Sequence, residues 1–230
     1  MRLRSSNLGL ATAAGLLLAC LTQAAGAQTL DGLYVYLQYQ VVSRSLKPDH
    51  YFFLPDGHYL NDAPPGEISR ASFAAGCKAH PRDCGTYKLT GNTLTLTTPD
   101  GKSSNGSFKI LSPDKVEIFG VPGTKVTRQF APATKLSGRY SATGGYGSIM
   151  SARGYEFHLD GTFTYDAVGS VRAAGMGSAI SSQNKGGTYR LTGNTMELTI
   201  DGQLVRLLAY DMGNLDDLIM IEGEPYTKKK

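Results

Sequence analysis

Residues 85–97 read GTYKLTGNTLTLT and residues 187–199 read GTYRLTGNTMELT, with ten of the thirteen positions identical. Each stretch alternates larger and smaller side chains around a Gly-Asn pair, the pattern of two short strands joined by a two-residue turn. In the second copy a Gly193-Asn194 turn places Thr192 opposite Thr195, Leu191 opposite Met196 and Tyr189 opposite Leu198. Apolar residues then share one face of the hairpin. Asp201-Gly202 makes the next turn and sets Leu198 opposite Val205, Met196 opposite Leu207 and Glu197 opposite Arg206. Inward aliphatics and an outward ion pair agree on one register. The first copy repeats the face with Tyr87, Leu89, Leu94 and Leu96 around Gly91-Asn92. There Pro99-Asp100-Gly101 opens into an expected polar loop up to Gly106.

The likeness extends upstream. Tyr51–Gly57 answers Tyr155–Gly161, and Leu30-Asp31-Gly32-Leu33-Tyr34 answers Leu136-Ser137-Gly138-Arg139-Tyr140, so the offsets are 102, 104 and 106 residues in unchanged order. A unit of about 100 residues is too long for a solenoid repeat, so each copy is a domain or half-domain. The Pro55-Asp56-Gly57 turn pairs Phe53 with Tyr59; its counterpart pairs Phe157 with Phe163 and Tyr155 with Tyr165. Ser69–Cys77 has the length of one or two helical turns. Gly169–Gly187 is rich in Gly, Ser and Ala and reads as a long loop. The expectation is all-β: two tandem small antiparallel meanders, barrel-like, of five to seven strands each. The copies span 28–130 and 136–227, joined by a linker at 131–135 and followed by a basic tail, 228–230.

The amino terminus carries an address. Arg2 and Arg4 precede an uncharged run from Leu8 to Leu21, and Ala25-Gly26-Ala27 supplies small residues before Gln28. That is the layout of a secretory signal peptide, 1–27, and the run is shorter than the roughly 20 residues a membrane span takes. Periplasmic or secreted protein is the expected product. An alternative reads Leu17-Leu18-Ala19-Cys20 as a lipobox, with Cys20 lipidated and the protein anchored to the envelope.

The 230 residues carry 23 Lys+Arg against 19 Asp+Glu, 13 Tyr, 8 Phe and no Trp. So many aromatics at low net charge exclude a disordered chain. Removing 1–27 takes away two arginines and no acid, leaving a net charge of +2, to which Lys228–Lys230 contribute +3. No basic stripe remains for phosphates, so nucleic acid is not an expected partner. Cys77 and Cys84, close in sequence in an oxidising compartment, read as a local disulfide. A metal site with His80 between them lacks a recognised zinc spacing.

Catalytic constellations are missing. Asp31, Asp56, Asp100, Asp160 and Asp201 each precede Gly and read as turn formers. Glu117, Glu156 and Glu197 fall on outward strand faces. His50, His58, His80 and His158 read as surface imidazoles with no ligand spacing, and His50 and His58 are answered by Gly154 and Thr162 in the second copy. No G-x-S-x-G elbow occurs; Gly145-Tyr146-Gly147-Ser148 lies in a Gly-rich strand or loop. No cofactor motif is present. Tyrosine is the abundant residue with binding chemistry, a flat apolar body with a hydroxyl. Tyr34 and Tyr36 share one strand face, with Tyr39 on the other, and Tyr59, Tyr155 and Tyr165 join them as binding candidates. The competing reading is that these rings fill barrel interiors.

FFLPDGHY (52–59), followed by FAAGCKAHPRDCGTYKLTGNTLTL (73–96), resembles a group of exported bacterial proteins with tandem lipocalin-like small β-domains. GTYRLTGNTMELTIDGQLVRLLAY (187–210) and IEGEPY (221–226) are similar to the closing portion of such domains. The resemblance implies the architecture and no particular activity, and the G-x-W signature of true lipocalins is absent. The leading functional expectation is a non-catalytic envelope or secreted protein that binds a small molecule or another envelope protein. An enzyme inhibitor or immunity-type protein acting through loops 61–84 and 167–186 is the alternative, and a hydrolase comes third.

Overall fold

In the computed structural model the described residues are 29–40, 45–146, 149–171, 179–213 and 217–229. The expected leader and Cys20 lie outside them. Two closed antiparallel barrels of eight strands each follow one another along the chain. The first comprises β1 (Gly32–Gln40), β2 (Ser45–Phe53), β3 (His58–Leu60), β4 (Cys84–Thr90), β5 (Thr93–Thr97), β6 (Ser103–Ser112), β7 (Lys115–Ile118) and β8 (Val121–Lys125). The second comprises β9 (Gly138–Tyr146), β10 (Ile149–Phe157), β11 (Thr162–Val171), β12 (Ala179–Thr192), β13 (Thr195–Ile200), β14 (Gln203–Tyr210), β15 (Leu218–Ile221) and β16 (Glu224–Lys228). Each strand pairs with the next, and β8 and β16 return to β1 and β9 to close the walls. The count exceeds the expected five to seven because short polar segments also join the ladders.

The hairpin registers read from sequence hold. Tyr189 faces Leu198, Glu197 faces Arg206, Phe53 faces Tyr59 and Phe157 faces Phe163. Two expected loops are strands instead. Lys102–Gly106 runs largely within β6, where Thr95 pairs with Asn105 and Leu96 with Ser104. Most of Gly169–Gly187 belongs to the β11–β12 hairpin, from Gly169 opposite Ser181 to Phe163 opposite Gly187. A ladder is held by backbone hydrogen bonds, which polar and small residues supply as well as apolar ones. Periodicity therefore vanishes where neither face is buried, and Ser182–Gly186 are exposed.

Large rings pack the described interior of each barrel. Tyr34, Tyr36, Tyr51, Phe53, Tyr59 and Tyr87 pack with Leu94, Leu96, Phe108, Val116 and Ile118 in the first barrel. Tyr140, Tyr155, Phe157, Phe163, Tyr189 and Tyr226 pack with Leu191, Met196, Leu198 and Ile219 in the second. With no Trp available, paired rings such as Tyr155 stacked on Phe157 at 5.4 Å supply the bulk.

The repeated Tyr of GTY closes each barrel end. The Tyr87 hydroxyl accepts from Leu30 N (2.8 Å) and donates among the carbonyls of Leu30 (2.9 Å) and Leu54 (3.1 Å). The Tyr189 hydroxyl does the same with Leu136 N, Leu136 O and His158 O. One side chain thus ties the chain just before the first strand to the second strand's turn, in both copies.

Leu198 is 3% exposed on the inner face, whereas Glu197 lies outside, 3.1 Å from Arg206 Nε. Leu198→Ala is expected to cost about 2–5 kcal/mol. Glu197→Lys, at a solvated pair, is expected to cost on the order of 0.5–1 kcal/mol. Chemical denaturation of the two variants checks this, and the reverse order would mean that the faces are exchanged. Val205, opposite Leu198, departs from the inward reading and stays 39% exposed. The reason is that β14 meets β15 only at Ala209 and Tyr210, so Val205 sits at an open rim.

Candidate functional site at the seam between the barrels

Alternation along each strand leaves every second residue on the outer wall. With Tyr34, Tyr36, Tyr51 and Phe53 inside, Leu33, Val35, His50 and Phe52 point outward from the first barrel. With Ala209, Ile219 and Ile221 inside, Leu208, Tyr210 and Met220 point outward from the second. An outer wall of this kind would ordinarily be polar. Here the two apolar patches bury each other, with Leu54, Leu60 and Phe73, in a third core between the barrels.

The segment after β3 completes the seam. Helix α1 (Arg70–Ala79) is capped by Ser69, whose hydroxyl accepts from Ser72 N while Ser72 Oγ accepts from Ser69 N, and its Phe73 packs edge-on against Phe52 at 5.7 Å. The Cys77–Cys84 disulfide forms as expected and pins the end of α1 to β4. The chain-entropy value of such a short loop is roughly 2.5 kcal/mol. Segment 61–84 is therefore part of the packed seam, and replacing it with a flexible linker would open a core.

Four polar groups lie in or beside this apolar seam. His50 is 5% exposed, which corrects its reading as a surface imidazole. Its Nε2 and the Tyr210 hydroxyl are 2.6 Å apart. Burial pulls the imidazole down to about 4, with Asp62 acting upward and Lys47 downward, so it is neutral near pH 7. Glu222 Oε1 accepts from Leu208 N and, at 3.4 Å, from Gly66 N, which ties the second barrel to the segment preceding α1. Burial raises the Glu222 carboxyl, and Asp62 adds to the effect. A cavity of about 190 Å³ beside these groups is lined by Asp62, His80 and Glu222 among apolar residues. Among the described residues no three His, Cys, Asp or Glu are grouped to hold a metal ion.

The other sequence candidates lie elsewhere. Tyr34, Tyr36 and Tyr59 line the first barrel's interior, and Tyr155 and Tyr165 belong to the second's. Burial pushes Tyr34 up to about 12 and raises Tyr36, Tyr59 and Tyr155 as well. Tyr39 is on β1, opposite Leu46. His58, His80 and His158 are exposed, and His58 contacts Asp56 at 3.0 Å. Asp56 is more than a turn former: Arg70 of α1, 2.5 Å away, and then His58 hold its carboxyl down at about 2.

Glu222 and Tyr210 were hidden in a repeat that the barrel closures bring out. Ile118-Phe119-Gly120-Val121-Pro122-Gly123-Thr124 answers Ile221-Glu222-Gly223-Glu224-Pro225-Tyr226-Thr227. Both run through a hairpin turn whose first residue has positive φ, 53° at Phe119 and 50° at Glu222. Phe119 turns its ring toward Tyr51 of its own barrel, whereas Glu222 reaches the neighbouring one. Likewise Phe108 and Ala209 occupy one place, each donating to the Asn of its Gly-Asn turn, so Tyr210 stands where the first barrel has Lys109. The places of Leu33, Val35, His50 and Phe52 are taken by Arg139, Ser141, Gly154 and Glu156. Positions that differ between the copies, not those they share, mark the seam.

No family model, curated protein or solved structure matches the chain.

Proposed function

We propose that the chain is an exported, non-catalytic binding protein of the cell envelope whose partner is another protein. The observation that carries this reading is the dense packing of aromatic and aliphatic side chains in the described interior of each barrel, which takes up space a lipocalin-type ligand would need. The leader-like amino terminus supports the envelope location. The protein-binding reading also draws on β12. Its Ala179–Gly187 portion pairs with β11 on one side and, among the described residues, with no strand on the other. Ser182–Gly186 are exposed there, and free backbone donors and acceptors of this kind accept an extended segment of another chain as an added strand.

The test uses the exported protein with a photo-crosslinking residue at Gln183, and a control at Lys88 on the first barrel. A discrete protein adduct from Gln183 alone is expected, together with no saturable binding across a panel of apolar small molecules. Saturable uptake of one such molecule with quenching of tyrosine fluorescence would overturn the reading. So would saturable turnover of an ester, peptide, phosphate or glycoside that a single substitution abolishes.

A further inference from the structure

We propose that the seam is an acid-operated joint: neutral His50, clamped by Tyr210, locks the two barrels together, and protonation of His50 releases them. The residues that pack beside His50 on the seam are apolar or belong to the opposite unit, with Asp62 and Lys47 of its own unit as the nearby charges. Phe52 and Val35 flank it from β2 and β1, Tyr210 meets it from β14, and the place a side chain would take on Gly223 lies 3.1 Å from its ring. The charged and titratable groups around it are Lys47 from its own strand, Asp62 from the segment after β3 and Tyr210 from β14, and the β15–β16 turn that carries Glu222 comes against its ring at Gly223.

A proton on His50 adds a cation where the hydrogen-bond partner is an uncharged hydroxyl and the surroundings are Leu33, Phe52, Leu208 and Met220. Asp62 favours that charge and Lys47 opposes it, but burial outweighs both and holds the group near 4, against 6.5 in water. Above about pH 7 both the closed and the open seam carry neutral His50, so pH does not bias the joint. Between 6.5 and 4 only the open form takes the proton, and each unit of pH favours opening up to tenfold further, about 300-fold in all. Glu222 acts in the opposite sense. Its carboxyl is raised in the closed form, so acid stabilises closure through that residue and moderates the opening. The repeat supports a dedicated device: the places of His50, Tyr210 and Glu222 hold Gly154, Lys109 and Phe119 in the other copy, so all three groups belong to the seam and none to the shared barrel scaffold.

The experiment attaches spin labels through Lys88→Cys on the first barrel and Arg190→Cys on the second, both exposed sites, in the otherwise intact chain. Inter-label distances are measured by pulsed EPR from about pH 7.5 to 3.5, with far-UV circular dichroism on the same samples. A narrow distribution at neutral pH should give way to a second, broader population below about pH 6 while the strand signal persists. His50→Gln should stay narrow across the range, and Glu222→Gln, which removes the charge that closure disfavours, should open at no higher pH than the parent. If His50→Gln does not fold, Tyr210→Phe, which keeps the ring and deletes the hydroxyl, should open at higher pH than the parent. An unchanged distribution down to pH 3.5, acid opening of His50→Gln like the parent's, an unshifted Tyr210→Phe profile, or strand signal lost together with the distance would each overturn the proposal.

Discussion

Gly187→Ala, or Gly85→Ala in the first barrel, is expected to yield insoluble or grossly destabilised protein. Both glycines open the repeated GTY motif, and both sit where a neighbouring strand's backbone comes closest. A Cβ at Gly187 would overlap the carbonyl of Thr199, and one at Gly85 would overlap that of Thr97. The atom in the way is backbone held in a ladder, so no rotamer change relieves it. Across the sheet the space is also taken: Tyr59 lies opposite Gly85 and Phe163 opposite Gly187, each laying its ring edge over the bare Cα. This is the sheet device in which an aromatic covers a glycine on the adjacent strand. Overpacking costs about 1–3 kcal/mol where side chains can yield and more where they cannot. A cost above about 3 kcal/mol corresponds to a fall of at least roughly 6–12 °C in Tm for a chain of this size. Thr192→Ala, at an exposed position on the same strand, should stay within about 0.5 kcal/mol. Thermal melts of the three variants decide the matter, and a Gly187→Ala protein that melts like the parent would refute the close-approach argument.

Tyr210→Ala is expected to have the second largest effect and to uncouple the barrels. Tyr210 is 0% exposed and stands on the outer wall of β14, so its ring is buried by the other barrel and not by its own. Truncating an aromatic of this size costs about 3–5 kcal/mol. It also leaves the buried His50 without the hydroxyl that satisfies it, a penalty of about 1–3 kcal/mol that overlaps the first. The loss falls on the seam, and the interior clusters of both barrels stay intact. Denaturant unfolding should therefore split into two transitions, one per barrel. A single cooperative transition at the parent midpoint would show that Tyr210 contributes little to the coupling.

Much of the molecule was legible without coordinates. The Gly-Asn, Asp-Gly and Pro-Asp-Gly turns determined the hairpin registers, because a side-chain period of two leaves only one pairing with all apolar residues on one face. Duplication determined that there are two like units. The spacing of Cys77 and Cys84 pointed to the disulfide. What escaped was structure whose side chains carry no pattern. Ser103–Gly106 and Ser182–Gly186 lie in strands with little buried on either face, and composition alone makes them loops. His50 escaped for a different reason. On its own barrel it is an outer-wall residue, which local periodicity assigns to solvent.

The sequence by itself determined two antiparallel β-units, their turns and their hairpin registers, since these follow from contacts close along the chain. Tertiary structure alone decided how the units meet. Leu33, Val35, His50 and Phe52 on one wall and Leu208, Tyr210 and Met220 on the other lie some 150–190 residues apart, and nothing local to either set names its partner. Their counterparts, Arg139, Ser141, Gly154 and Glu156 on the second barrel and Ser107 and Lys109 on the first, make no such apolar wall. The joint is thus head-to-tail with each mating surface present once. Burial of an outer wall is a property of the pair, and only the folded pair reveals it.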